Sequence, residues 1–232
     1  MNGYTITPIH LGTITRKKSN MLYGCGDDTL SDFPLIAYYL NGFGHSLLID
    51  TGGSAPDGVK WMPYVQTPEQ TLDRALRKIG VEPETIDGVI YTHLHWDHAG
   101  GGALLPWAAH YVQRAEYDFI SETDRPGYER DLILKSTYVK LDGDCDLLPG
   151  ISVLLTPGHS VGSQCVIVQT ASGPVVLAGD LIPTCENIFG NCLIPNGGNY
   201  DAAVTIASMK RIMALGYPVF PGHGLPQGDE TH

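Results

Sequence analysis

The stretch THLHWDHAGG, Thr92 to Gly101, decides how this chain is read. Three histidines and an aspartate, His93, His95, Asp97 and His98, fall within six positions. The run Gly88-Val-Ile-Tyr-Thr92 before them is apolar and reads as a strand. Donors placed where a buried strand leaves its sheet can converge on one point. Imidazole and carboxylate together suit Zn, and also Mn, Fe or Co. Four donors this close point to more than one ion. In an extended chain positions 93, 95 and 97 share a face and His98 takes the other. A turn after His95 would then aim His93 and His95 at one ion and Asp97 and His98 at a second. A lone histidine is usually a core or surface residue. This cluster, followed by Gly100-Gly101-Gly102, arises by chance only rarely.

The same punctuation recurs downstream. Ile151–Leu155 reads as a strand ending at Thr156-Pro157-Gly158-His159, and Val175–Ala178 as one ending at Gly179-Asp180. Pro218–Phe220 is a last strand, ending at Pro221-Gly222-His223. In each case an apolar run stops, turn residues follow and a ligand-type residue appears. A closed two-metal site wants about seven protein donors, counting a bridging carboxylate. His93, His95, Asp97, His98, His159, Asp180 and His223 supply that number.

Elsewhere, Thr5–Leu11 alternates like a strand, and Phe33–Leu40 with His45–Thr51 reads as a hairpin around Asn41-Gly42-Phe43-Gly44. Gly52–Gln66 is loop-like and carries Trp61, Met62, Pro63 and Tyr64, candidates for a substrate wall or a core cover. Thr67 caps a predicted helix with Pro68 at N1 and Gln70 at N3, and Gly80 closes it. Ala109–Gln113 reads as a strand and Ala115–Ser121 as a helix start. Asp124–Lys140 is charged and read as half helical, with Asp142–Asp146 an acidic turn. Gln164–Gln169 pairs with Val175–Ala178, and Asp201 caps a last helix over Ala202–Leu215. No linker or low-complexity segment interrupts residues 1–232, which read as one domain.

The 232 residues are 43% hydrophobic, enough for a sizeable core, and contain no eighteen-residue apolar run. No membrane span and no secretory signal is expected, and the expected location is cytoplasmic. The net charge of −11 disfavours a nucleic-acid partner. The one basic cluster, Arg16-Lys17-Lys18, reads as solvated. Cys25, Cys145, Cys165, Cys185 and Cys192 form no C-x-x-C pair, so reduced thiols fit better than a disulfide framework. Cys185 falls near the candidate site but has no unassigned histidine beside it. His10, His45, His110 and His232 lack partners at useful spacing and read as structural or exposed.

THLHWDHAGG, TPGHS (156–160), LAGD (177–180) and PGH (221–223), in that order, resemble the metallo-β-lactamase superfamily. The resemblance runs from about Leu47 onward. It implies an α+β fold, an αββα sandwich of two mixed sheets flanked by helices. It also implies His93, His95 and His159 on one ion, Asp97, His98 and His223 on the other, and Asp180 bridging. Within the superfamily the chain looks most like the N-acyl-homoserine lactone lactonases. They too carry HLHxDHAGG, the segment seen here as Val112–Tyr117, a TPGH turn and the Glu186-Asn187 pair. The stretch Phe33–Thr51 also looks like theirs. That family often has a tyrosine three residues after the bridging aspartate; Pro183 stands there in this chain.

The resemblance implies a quorum-quenching hydrolase that opens a lactone ring, an N-acyl-homoserine lactone or a related small lactone or ester. Two divalent ions, Zn foremost, would bridge a water, and the hydroxide would attack the carbonyl. Asp97 is the expected catalytic residue, orienting that water or passing a proton to the leaving oxygen. Ser160 has no free base and reads as a turn residue. Candidate substrate contacts are Trp61, Met62, Tyr64, Ile188 and Phe189. A monomer or homodimer is expected. The rival reading is a glyoxalase II-like thioesterase, ranked second because few basic residues neighbour the motifs. A di-iron redox protein would tend to have glutamate at position 95, and a non-catalytic relative would have eroded donors.

Overall fold

A computed structural model of the protein describes residues 3–54, 62–122, 125, 127–190 and 192–225. Seven strands form the first sheet: β1 (Thr5–Lys17), β2 (Leu30–Gly42), β3 (His45–Ile49), β4 (Tyr64–Val65), β5 (Gly88–Ile90), β6 (Ala109–Gln113) and β7 (Tyr138–Leu141). Their order is β4-β1-β2-β3-β5-β6-β7. The second sheet holds β8 (Cys145–Leu148), β9 (Ile151–Leu155), β10 (Gln164–Thr170), β11 (Gly173–Leu177) and β12 (Val219–Phe220), in the order β12-β11-β10-β9-β8. Both are mixed: β3, β5, β6 and β7 pair in parallel, as do β11 and β12, and the remaining pairs are antiparallel.

Side-chain alternation builds the layers. Along β2, Leu35 and Ala37 face an outer core while Ile36, Tyr38 and Leu40 face an inner one. Leu48 and Val89 join the outer core, and Leu47, Ile49 and Ile90 the inner. On the other sheet Val166, Val168 and Leu177 meet the inner core, while Cys165 and Val176 turn outward. The inner core therefore lies between the sheets. Helices α1 (Leu72–Lys78), α3 (Arg114–Glu122) and α4 (Arg130–Ile133) cover the first sheet through Leu76, Ile120 and Ile133. Helix α5 (Ala202–Met213) covers the second through Met209 and Ile212. Between α1 and α3 comes the one-turn helix α2 (Trp96–Ala99). Burial of an aliphatic side chain is worth about 1.5–3 kcal/mol, so strands buried on both faces read as continuous apolar runs. The result is the helix–sheet–sheet–helix stack expected from the motifs.

The β2–β3 hairpin closes on Phe43-Gly44, with φ of 51° and 80° at the two residues. Both positive angles suit a two-residue turn matched to strand twist, and the Phe43 ring packs 5.3 Å from Tyr4. Other expectations need correction. The loop expected over 52–66 contains strand β4, because Tyr64 is buried and its hydroxyl donates to the Leu11 carbonyl. The helix expected from Thr67 breaks at Thr71, which is extended (ψ 143°). Thr67 and Gln70 do form the capping box, but on a single short turn over Pro68–Gln70. Asp142–Asp146 is a turn only as far as Asp144; Cys145 already belongs to β8. Within 124–140 the described helix is the four-residue α4, and Tyr138 opens β7. Trp61, Asp124 and His232 lie outside the described residues.

Candidate metal centre

The seven predicted donors gather at one end of the sandwich because their strands run the same way. β5 leaves its sheet at Ile90, and His93 follows three residues later. β9, β11 and β12 are mutually parallel in direction, β10 being antiparallel to both β9 and β11. Their exits deliver His159, Asp180 and His223. After His95 the chain turns into α2, which carries Asp97 and His98 on its single turn. That turn separates the two donor pairs, as the alternation argument requires.

Three triads of donor atoms lie within 4.8 Å of one another: His93, His95 and His159; His93, His98 and Asp180; Asp97, His98 and His223. In the first, His93 Nε2, His95 Nδ1 and His159 Nε2 are separated by only 2.9–3.2 Å. Asp180 Oδ1 is 3.2 Å from His98 Nε2 and 3.1 Å from His223 Nε2, and its Oδ2 is 3.4 Å from His159 Nε2. Asp180 thus touches both halves of the cluster. Asp97 Oδ2 is 3.7 Å from His223 Nε2 and 4.0 Å from His98 Nε2.

The far nitrogens of three of these rings are tied down. His98 Nδ1 donates to Asp50 Oδ2 at 2.7 Å, and His223 Nδ1 to the Pro34 carbonyl at 3.0 Å. The Thr92 hydroxyl donates to Asp50 and so accepts from His93 Nδ1 at 3.2 Å. Each bond fixes the tautomer and turns the remaining lone pair into the cluster. Asp50 also accepts from the Thr92 N–H at 2.7 Å. It sits just past β3 with φ of 61°, a left-handed conformation that aspartate and asparagine tolerate. Asp50→Asn keeps that backbone and removes the charge. It is expected to weaken metal retention about 10–100-fold, read by competition with a chromogenic chelator.

A second buried carboxylate, Glu116 on α3, holds the histidine loops. Its Oε1 accepts from Leu94 N–H (3.1 Å) and Tyr128 O–H (3.2 Å), its Oε2 from Ser160 O–H (2.7 Å) and Gly162 N–H (2.9 Å). Leu94 lies between His93 and His95, and Ser160 follows His159, so one side chain aligns both loops. A Cβ at position 162 would overlap the Glu116 backbone, which restricts that place to glycine. At Gly222 a Cβ would stand 2.8 Å from Asp180 Oδ1. Ser160 thus serves the turn, as expected. Neither Asp50 nor Glu116 stood out as a site residue in the sequence.

Burial holds His93 well below the usual imidazole range, assisted by the neighbouring His98, His95 and His159. Burial also lowers His95 and pushes His159 down to about 3. These three rings are neutral, the form that binds metal. For His98 and His223 burial acts in the same direction, but the carboxylates, Asp180 foremost, outweigh it and raise both. Burial would raise Asp180, yet His223, His98 and His159 hold it well below the carboxylate range. Positive charge is therefore stabilised around Asp180. Within the cluster, His98 Nε2 and Asp180 Oδ1 are buried without a hydrogen-bond partner. Three neutral nitrogens 2.9–3.2 Å apart also fit around a point about 2.0–2.1 Å from each, the Zn–N length. The donor set fits divalent cations.

Two cavities open over the cluster and share His95, His159 and Gly198 in their walls. One, of about 190 Å³, is also lined by Asp97, Asp180, Trp96, Met62 and Arg16. The other, of about 180 Å³, is bounded by Phe119, Tyr128, Tyr200 and Arg125. Of the expected substrate contacts, Met62 is at the wall. Tyr64 is in the core, packed edge-on to Trp96 at 5.2 Å. Ile188 packs against the α5 core and Phe189 is 72% exposed. The expectation of a solvated Arg16-Lys17-Lys18 cluster needs revision, because Arg16 reaches a wall of the site. Arginines thus stand near the motifs in space although not in sequence. The Cys185 thiol points to the Leu225 carbonyl at 3.6 Å. Pro183 contributes its carbonyl to His223 N–H at 2.7 Å.

Known proteins resemble this chain in sequence and fold. Residues 35–223 match the metallo-beta-lactamase superfamily. An N-acyl homoserine lactonase of a Bacillus species is 32% identical over 217 residues, covering 85% of this chain and 84% of that protein. The crystal structure of an AiiA mutant from B. thuringiensis, with N-decanoyl-L-homoserine bound at its active site, superposes with a TM-score of 0.85. It is 27% identical, over 96% of this chain and 94% of that one. An N-acyl homoserine lactone hydrolase with the product N-hexanoyl-L-homoserine at its catalytic metal centre gives the same TM-score, identity and coverage. With the motifs, the layered fold and the match across residues 35–223 in agreement, this chain belongs to the metallo-beta-lactamase superfamily.

Proposed function

We propose that the protein is a dinuclear metal hydrolase that opens the ring of a lactone, an N-acyl-homoserine lactone or a close relative, and acts as one domain in the cytoplasm. The observation that carries this reading is the meeting of seven donors around Asp180 at the floor of a cavity. The lactone is supported by relatives named as N-acyl homoserine lactonases and by neighbours holding ring-opened homoserine products. His93, His95 and His159 would hold one ion, Asp97, His98 and His223 the other, and Asp180 would bridge. Zn fits the donor set, as do Mn, Fe and Co. Such ions acidify water toward neutrality and polarise a carbonyl.

The chain's own residues supply the rest. Asp97 faces the cavity beside Asp180 and His159, where its carboxylate can hold a hydrogen of the attacking water. On ring opening it is placed to hand that proton to the departing alkoxide. The buried Trp96 and the half-buried Met62 form walls that limit bulk water. No side-chain nucleophile is required, since Ser160 is committed to Glu116.

Purified protein is expected to hold two transition-metal ions per chain. It should release acid from acyl-homoserine lactones in a pH-indicator assay. Dialysis against a chelator should abolish turnover, and Zn, Mn or Co should restore it. Turnover of S-lactoylglutathione alone, with every lactone inert, would replace this reading by the thioesterase one.

A further inference from the structure

Arg16 stands apart from its neighbours on β1. Lys17 pairs with Asp28 at 2.7 Å and Lys18 with Glu186 at 2.7 Å. Among the described residues no carboxylate pairs with Arg16, in a chain with 25 acidic and 14 basic residues. Its strand neighbour Thr15 donates its N–H to the Pro63 carbonyl, which pins this end of β1 beside Met62. Arg16 and Met62 then line the cavity whose floor carries His95, Asp97, His159 and Asp180. Arg16 is half-buried at the wall of that cavity, and a guanidinium brings to such a wall a permanent cation with a planar fork of donors. Such a fork matches a carboxylate in two parallel hydrogen bonds. In an acidic protein an internal partner would be easy to find, and among the described residues Arg16 has no ion-pair partner.

We propose that Arg16 is the specificity-determining residue of this site, binding a carboxylate carried by the substrate beside the bond that is cut. The proposal rests on the hydrolase reading above and adds a preference within it, for lactones or esters with an anionic arm over neutral ones such as the acyl-homoserine lactones. Asp97 and Asp180 share the cavity, but in the loaded enzyme the bound ions offset their charge. Arg125, on the adjoining cavity, lies 6.0 Å over the Phe119 ring and serves a different wall.

The test uses metal-loaded protein and two lactones, the γ-lactone of α-hydroxyglutarate, which carries a carboxylate, and neutral γ-butyrolactone. Wild type should favour the first. In Arg16→Gln the ratio of kcat/KM for the carboxylated over the neutral lactone should fall at least about tenfold, mainly through KM. Arg16→Lys should recover part of it, as a point charge without the fork. Calorimetry with the two ring-opened acids gives a reading independent of turnover. Arg16→Gln should bind α-hydroxyglutarate at least about tenfold more weakly relative to γ-hydroxybutyrate. An unchanged ratio for the acids, or equal losses for both, overturns the role of Arg16. If wild type opens neither lactone, the anionic-arm substrate class is overturned, turnover of acyl-homoserine lactones decides the hydrolase reading separately, and the acid-binding ratio still decides Arg16.

Discussion

Asp180→Ala and His98→Ala are expected to lose metal and activity together. Asp180 approaches His98 and His223 through one oxygen and His159 through the other. Its removal therefore deprives both halves of the cluster at once. It also leaves the raised His98 and His223 without the carboxylate that raises them most. His98, like His93, belongs to two of the three triads. Residues that work as a unit show losses far larger than single contacts, on the order of a thousandfold or more in kcat/KM. Metal content by mass spectrometry of the native protein should fall below two ions per chain in either variant. Full activity in either one would refute the donor assignment, whatever the substrate.

Glu116→Ala should be the most destabilising single change near the site. Its carboxylate is fully buried and is the shared acceptor of two N–H and two O–H groups. Truncation orphans the N–H groups of Leu94 and Gly162 and the Tyr128 hydroxyl, Ser160 keeping Ser163 at 2.7 Å, and each buried donor left unpaired costs about 1–3 kcal/mol. Even the low end gives about 3 kcal/mol, a large share of the roughly 5–15 kcal/mol by which domains are stable. Urea unfolding should show the midpoint falling accordingly. Ser160→Ala, which removes one donor and keeps the acceptor, should cost only about 1 kcal/mol. A loss for Glu116→Ala no larger than for Ser160→Ala would mean that the two histidine loops are held by other contacts. Because Leu94 and Ser160 adjoin donor residues, surviving Glu116→Ala protein should also turn over more slowly, since displacement by about 1 Å can cost 100-fold.

The parts of this protein legible in its sequence are those where one local rule decides. The donors announce themselves because each follows a strand and a turn. The layers follow from apolar runs, and Asp201 caps its helix through the N–H groups of Ala203 and Val204 as its position suggests. What was hidden depends on partners far along the chain. Asp50 is an ordinary aspartate after a strand until β5 brings Thr92 and His98 to it. Glu116 sits in a segment that reads as the start of a helix, and only folding sets Leu94, Tyr128 and Ser160 around it. Arg16 reads as solvated beside the exposed Lys17, whereas strand alternation sends it to the face opposite Lys17. Tyr64 read as a loop aromatic because a two-residue strand leaves no period to detect. The break at Thr71 is invisible to helical spacing, since the periodic residues Leu72, Ala75 and Leu76 all lie after it.

The seven donors all stand at the exits of short strands or on the single turn of α2. The cavity walls come from elsewhere: β1 for Arg16, the approach to β4 for Met62, α3 for Phe119 and the approach to α5 for Tyr200. Reactivity and selectivity are thus inherited on separate pieces of chain. Drift in the second set can retailor what the protein accepts while its reactive machinery is passed on untouched.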